Sequence, residues 1–216
     1  MITSANIVNY DGCNLIVRPQ DYIGRELQQK QSKYVEIRIV DGRTISSLQR
    51  RKVYALIRDI AMWNGDDPEW LKEYFKFIFC GECDQEYFSL SNCEKSIATS
   101  FITYLVDFCL YHNIPTRESL SIMTDDIGRY LYSCLEHKRC AVCNKPGEIH
   151  HVDKIGMGRD REQIVHIGLS AVCLCREHHT QCHNDEKTFF NKNHIYGIKL
   201  DKFLCDKLNL NTKERK

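Results

Sequence analysis

The chain has 216 residues, 43% of them hydrophobic and 27% charged, enough for one large or two small domains and without low-complexity tracts or solenoid repeats. No apolar run approaches the roughly 20 residues that span a bilayer, and residues 1–9 lack the basic start and apolar block of a secretory signal. A soluble intracellular protein is expected, and a formal net charge of +1 singles out no partner.

The first elements read as strands. Residues 6–10 and 14–18 flank Asp11-Gly12, a tight-hairpin signal, and residues 34–40 (YVEIRIV) alternate apolar and charged side chains as a half-buried strand does. A helical block follows. Ser46-x-x-Gln49 is a capping box ahead of Val53, Leu56, Ile57, Ile60 and Ala61 at helical spacing. Asp67-Pro68 reads as N-cap plus N1 proline of a helix running to about Ile78. Ser91-x-x-Glu94 reads as a second capping box, opening a helix with Ile97, Phe101, Ile102, Leu105 and Phe108 on one face. Thr124 is expected to cap a helix over residues 125–136, and the apolar stripes of all these helices read as core. Beyond the chemistry-bearing segment at 140–183, a helix should continue through Phe189 and Phe190. Residues 195–200 suit a short strand, Asp201 a final cap, and residues 211–216 a frayed end.

Twelve cysteines without a signal pattern speak against a disulfide framework. Cys13, Cys93, Cys109, Cys134 and Cys205 lie among apolar neighbours, as buried free thiols do. Cys80-Gly-Glu-Cys83 has only Cys93 nearby and no local histidine, so free thiols beside a turn are expected there. The clustered cysteines fall in a basic segment. Residues 1–137 carry 15 Lys/Arg against 19 Asp/Glu, whereas residues 138–216 carry 15 against 10, a balance suited to a phosphate-binding module.

That segment contains Cys140-Ala-Val-Cys143, then Glu148-Ile-His150-His151-Val-Asp153, then Cys175-Arg-Glu-His178-His179-Thr-Gln-Cys-His183. The pair Cys140 and Cys143, with Cys175 and His178 at the same spacing, can close a Cys₃His tetrahedron, the usual form of a structural zinc site. Such a site holds a small module that lacks much core of its own. His179 and His183 share one face of a helix, while His178 points about 100° away, so adjacent histidines can serve different metals. His150 can complete a three-ligand catalytic site with open positions, and His151 is then free to act as general base. Consecutive strand residues face opposite ways, so His150 and His151 share a site only if the strand twists or ends there.

His150-His151 followed by His179-x-x-x-His183 resembles the ββα-metal (HNH) endonuclease motif, and the cysteine pairs resemble its zinc-stapled variety. HHVDKIGMGRDR and LCREHHTQCH are similar to HNH nucleases of bacteriophages of Gram-positive hosts. The resemblance implies His150, His179 and His183 as ligands of one divalent ion (Mg²⁺, Mn²⁺, Ni²⁺ or Zn²⁺), His151 as base, and a nucleic-acid phosphodiester as the bond hydrolysed. The chain departs from the pattern at Ser170, nine before His179, where the family has an asparagine that braces the loop between its strands. His166 is a candidate substitute. The loop Lys154-Ile-Gly-Met-Gly-Arg159-Asp-Arg161 is either a DNA-backbone contact through Lys154, Arg159 and Arg161, or a solvated loop with ion pairs to Asp153 and Asp160.

Residues 41–112 are similar, in the order of their helices and small motifs, to the lambda-type phage recombination protein Orf (NinB). That resemblance implies binding of single-stranded DNA, action with the host single-strand-binding protein, and a dimer. Arg50, Arg51 and Lys52 are candidate DNA contacts or a solvated charge run. The expected fold is therefore α+β. An Orf-like domain of strands and helices occupies 1–115, a helical connector 116–138, and a zinc-stapled HNH module 139–216. The expected function is a phage-type endonuclease acting on branched or single-stranded DNA in recombination or replication, in the cytoplasm of the bacterial host. The alternative is a recombination mediator whose zinc module only binds DNA.

Overall fold

The computed structural model describes residues 3, 5–30, 34, 35, 37, 43–152 and 164–212. The chain divides into two compact units, Met1–Val40 and Asp41–Lys216, so the sequence boundaries at 115/116 and 138/139 both fall inside the second unit.

In the first unit, β1 (Ala5–Tyr10) pairs antiparallel with β2 (Leu15–Pro19), the hairpin expected from Asp11-Gly12. The Asp11 carboxylate accepts the backbone N–H of Cys13 (3.1 Å) and Asn14 (2.8 Å), and Gly12 takes the φ of 95° that the turn requires. A short helix, α1 (Gly24–Lys30), comes next and buries no residue. The strand expected at 34–40 lies mostly outside the described residues.

The second unit opens with α2 (Ser47–Asn64). Ser46 and Gln49 form the capping box expected of them, each side chain bonding the other's backbone, and Gly65 closes the helix in the left-handed region at φ 84°. Val53, Leu56, Ile57 and Ile60 are all buried on one face. Asp67 caps α3 (Pro68–Glu82), which runs a turn beyond the expected end at Ile78. Helix α4 (Lys95–His112) packs against α2, and against α3 through edge-to-face rings, Phe75 on Phe108 at 4.8 Å and Phe79 on Phe101 at 5.3 Å.

Three expectations about helix ends need correction. Ser91 does not cap α4. It sits in a turn, its N–H bonded to Ser89 Oγ (3.2 Å), and the N-cap is Glu94, held extended by a bridge to Thr44 and making no side-chain cap bond. Nor does Thr124 cap the next long helix. After the short α5 (Leu120–Met123), Thr124 bonds both backbone groups of Asp126 in a turn, and Asp126 itself caps α6 (Ile127–Glu136) by accepting from Arg129 N–H (2.9 Å). The last correction, a helix break at Asp185, falls beside the histidine cluster.

Arg50 and Lys52 are spent on the fold. Arg50 donates to the carbonyls of Leu90 (2.7 Å) and Ser91 (2.8 Å), and Lys52 pairs with Asp125 at 2.6 Å; Arg51 is exposed.

Helix α6 is the platform for the C-terminal sheet. Its Tyr130, Leu131, Cys134 and Leu135 are essentially inaccessible, and the helix packs on β4 (Ser170–Leu174) and β5 (Ile198–Lys199) of a sheet that also holds β3 (Glu148–His151). The strands are antiparallel in the order β3-β4-β5. Gly147 enters β3 where a Cβ would lie 2.7 Å from Cys173 Sγ and 3.1 Å from the Leu174 backbone, so a side chain there would push the strands apart. Helices α7 (Arg176–Asn184), α8 (Glu186–Asn193) and α9 (Lys202–Leu208) complete the unit, α9 capped by Asp201 as expected. One buried cluster runs from Ile45 to Leu208, joining the helical block to the sheet. No helix among the described residues is long and apolar enough to cross a membrane.

Candidate functional site

The segment before β3 folds as a knuckle. Arg139 bridges Pro146, Cys140 N–H donates to the Lys145 carbonyl (2.8 Å), and Asn144 N–H donates to the Cys140 carbonyl (2.9 Å). Closing so tight a turn needs a left-handed residue, and Asn144 supplies it at φ 56°. Its amide donates to the Tyr130 hydroxyl (2.8 Å), which in turn donates to the Ala141 carbonyl (2.9 Å), pinning the knuckle to α6. Cys140 and Cys143 thereby face the start of α7, where Cys175 is the N-cap and His178 lies in the first turn.

Cys140 Sγ and Cys175 Sγ lie 3.3 and 3.2 Å from His178 Nδ1, and Cys143 Sγ lies 3.7 Å from Cys175 Sγ. A tetrahedral zinc with Zn–S of about 2.3 Å and Zn–N of about 2.0 Å sets its ligands roughly 3.5–3.8 Å apart. The four donors fit that ion, and 3.7 Å is far beyond a disulfide. Electrostatics agree. Burial and the neighbouring Cys140 push the Cys143 thiol up to about 12, so a set of thiolates here calls for a cation. Burial would raise Cys175 too, but the backbone N–H groups of His178 and Glu177 and the nearby thiols bring it below the ordinary thiol value.

The second cluster lies one residue further round α7. His150 on β3 meets His179 and His183, with ring centroids 4.9 Å apart in both pairs and 4.7 Å between the two helical rings. One nitrogen from each lies within 4.8 Å of the others, a set that can hold one ion. His150 is buried at 3% exposure, whereas His183 is exposed, so this cluster opens to solvent on one side. Burial, then the neighbouring imidazoles His150 and His183, lower the pKa of His179 and favour the neutral ring that a ligand requires.

Strand β3 ends at His151, which is the condition for adjacent histidines to serve one place. The His151 ring lies 4.9 Å from that of His166, whose pKa is lowered by burial. Ser170 opens β4, and its carbonyl accepts Val152 N–H at 2.9 Å, tying the hairpin closed just past His151. Lys154, Arg159 and Arg161 lie outside the described residues.

Sequence reasoning missed the residues around His150. The expected single helix through Phe190 is broken at Asp185, whose φ of −156° is not helical and whose side chain caps α8 through Thr188 N–H. Directly after that break, Glu186 places Oε2 3.1 Å from His150 Nε2, and Cys182 Sγ lies 3.5 Å from the same nitrogen. Glu148 Oε2 lies 4.0 Å from His179 Nδ1. For Glu148 the signal was present as spacing, since 148 and 150 share a strand face.

The sequence profile of a family described as "Putative HNHc nuclease" matches residues 20–211. No curated protein and no solved structure matches the chain. The profile spans the helical block and the sheet together, and the two Cys/His clusters suit the divalent metals that HNH nucleases use. The chain belongs to the HNHc nuclease family.

Proposed function

We propose that the chain is a metal-dependent endonuclease that hydrolyses DNA phosphodiester bonds. The observation that carries this reading is the convergence of His150, His179 and His183 beside the strand end that presents His151. The three histidines would hold one divalent ion, whose charge would stabilise the transition-state phosphate and the leaving oxygen. His151 would take the proton of the attacking water, and the His166 ring beside it limits how far the imidazole can turn. Cys140, Cys143, Cys175 and His178 would hold structural zinc and fix α7 against the knuckle. The Ser170 carbonyl would brace the hairpin through the backbone where family members use an asparagine side chain. Lys154, Arg159 and Arg161 would contact the DNA backbone.

The finer reading is a phage enzyme acting on branched or single-stranded DNA during recombination or replication, as a dimer and with the host single-strand-binding protein. It rests on the Orf-like order of motifs in residues 41–112 and on the phage HNH resemblance. The test is cleavage of single-stranded, duplex, flap and four-way DNAs with Mg²⁺, Mn²⁺ or Ni²⁺, wild type beside His151→Ala. Loss of roughly 10²–10⁴-fold in rate is expected for the variant. An unchanged rate would remove His151 from the chemistry. Ser170 favours one second reading, a DNA-binding recombination mediator, and a wild type that binds these DNAs but cuts none of them would select it.

A further inference from the structure

Three histidines can share an ion only if each presents a lone pair to it, and a neutral imidazole carries its proton on one nitrogen and its lone pair on the other. Which nitrogen His150 offers is decided by what the other one meets. Nε2 meets Glu186, with Oε2 at 3.1 Å, on a ring that is 3% exposed and backed by Phe190 at 6.5 Å between centroids. The same nitrogen also has the Cys182 sulfur at 3.5 Å, on a fully buried side chain.

The geometry points to Glu186 as the positioning residue of the trihistidine site: its carboxylate accepts Nε2–H from His150, fixes the ring, and leaves Nδ1 for the ion shared with His179 and His183. This rests on the metal-site reading above. A histidine ligand commonly donates its second ring N–H to a carboxylate or carbonyl, which orients it and raises its basicity. The neighbouring ligand repeats the arrangement in looser form, with Glu148 Oε2 4.0 Å from His179 Nδ1. The break at Asp185 makes the contact local. Glu186 is the first residue of α8, so its position relative to α7 is set by the Asp185 cap.

A rival arrangement exists in the same atoms. His150, Cys182 and Glu186 also place one donor each within 4.8 Å of one another, and in that case Glu186 would itself be a metal ligand. Cys182 Sγ is fully buried beside the same ring, so the two arrangements differ in whether Glu186 Oε2 takes the Nε2–H or the ion. The 3.1 Å separation of Oε2 from Nε2 is that of a hydrogen bond, and the glutamine variant below distinguishes the two arrangements.

The test uses the full chain loaded with zinc and reads Mn²⁺ binding by calorimetry and electron paramagnetic resonance, for wild type, Glu186→Ala and Glu186→Gln. Glutamine keeps a carbonyl acceptor for Nε2–H but is a poor metal ligand. Glu186→Ala should weaken Mn²⁺ binding about 10- to 100-fold. Glu186→Gln should recover most of that, and zinc content and melting temperature should hold in both. Long-range ¹H–¹⁵N spectra of the wild type should show His150 protonated at Nε2. Equal losses for glutamine and alanine would make Glu186 a ligand and overturn the assignment. So would unchanged binding in both variants, a proton on Nδ1, or a wild type that binds no Mn²⁺. A wild type that binds Mn²⁺ but cuts no DNA counts against the nuclease reading alone, and the expected ranking of the variants would still support Glu186.

Discussion

His178 and His179 are neighbours in sequence and belong to clusters of opposite character. The Cys140–Cys143–Cys175–His178 set is closed, with sulfurs and nitrogen at 3.2–3.7 Å and two of its four residues buried. The His150–His179–His183 set is graded from buried His150 to exposed His183 and so opens to solvent on one side. A closed donor set can only hold an ion; an open one leaves positions for water and substrate. On the proposed assignment, one turn of helix would carry both a structural and a chemical function, separated by the angular step of a single residue.

The largest expected effect comes from breaking the closed set. Structural zinc binding in small modules is worth on the order of 10–16 kcal/mol. If even a third of that stabilises this unit, at about 2–4 °C per kcal/mol, stripping zinc lowers Tm by roughly 10 °C or more. Calorimetry of Cys140→Ser and of chelator-treated wild type, with zinc measured in the same samples, checks it. Zinc-free protein melting where the loaded protein melts would refute a structural role.

Adjacent alanine substitutions sharpen the contrast. His178→Ala should lose zinc and Tm together. His179→Ala should keep both, while Mn²⁺ binding and DNA cleavage fall at least tenfold. His183→Ala should resemble His179→Ala, with stability inside about 0.5 kcal/mol because its ring is exposed. If His178→Ala and His179→Ala gave the same profile, the division of α7 between two ions would be wrong.

Much of this contrast is legible in the amino-acid sequence alone, because it depends on short spacings. Cys140 and Cys143, or His179 and His183, are close wherever a knuckle or a helix forms, and the Ser46 capping box and Asp-Gly hairpin are equally local. What is not legible depends on long-range company. Ser91 carries the same capping signature as Ser46, yet the bridge from Thr44 to Glu94 fixes the helix start three residues later. Arg50 reads as a candidate DNA contact, but the carbonyls of Leu90 and Ser91, distant in the chain, claim it. Glu186 is hidden because a helix drawn unbroken through Phe190 conceals the cap at Asp185 that sets its place.

The smallest effect concerns a third cluster that resembles a metal site and is better explained as ion pairs. Asp107, Glu136 and His137 also bring one donor each within 4.8 Å, but His137 Nε2 bonds Asp107 at 3.1 Å and Lys207 pairs with Glu136 at 2.7 Å. These contacts tie α4 and α9 to α6, and the His137 ring and the Lys207 ammonium already engage the two carboxylates. Burial raises the Asp107 pKa, yet the hydrogen bond with His137 leads the effects that more than offset it and hold the carboxyl below its ordinary value of 3.8. A carboxyl with a depressed folded-state pKa contributes stability above its unfolded pKa and loses that contribution as pH falls through the folded value. The Tm deficit of Asp107→Asn should therefore be a few degrees near neutral pH, for a contact worth about 1 kcal/mol, and should close below pH 3.8. Melting curves of wild type and variant across pH, with and without added Zn²⁺, separate the two readings. A deficit that tracks Zn²⁺ rather than pH would make this cluster a third metal site and remove the distinction drawn between ion pair and ligand set.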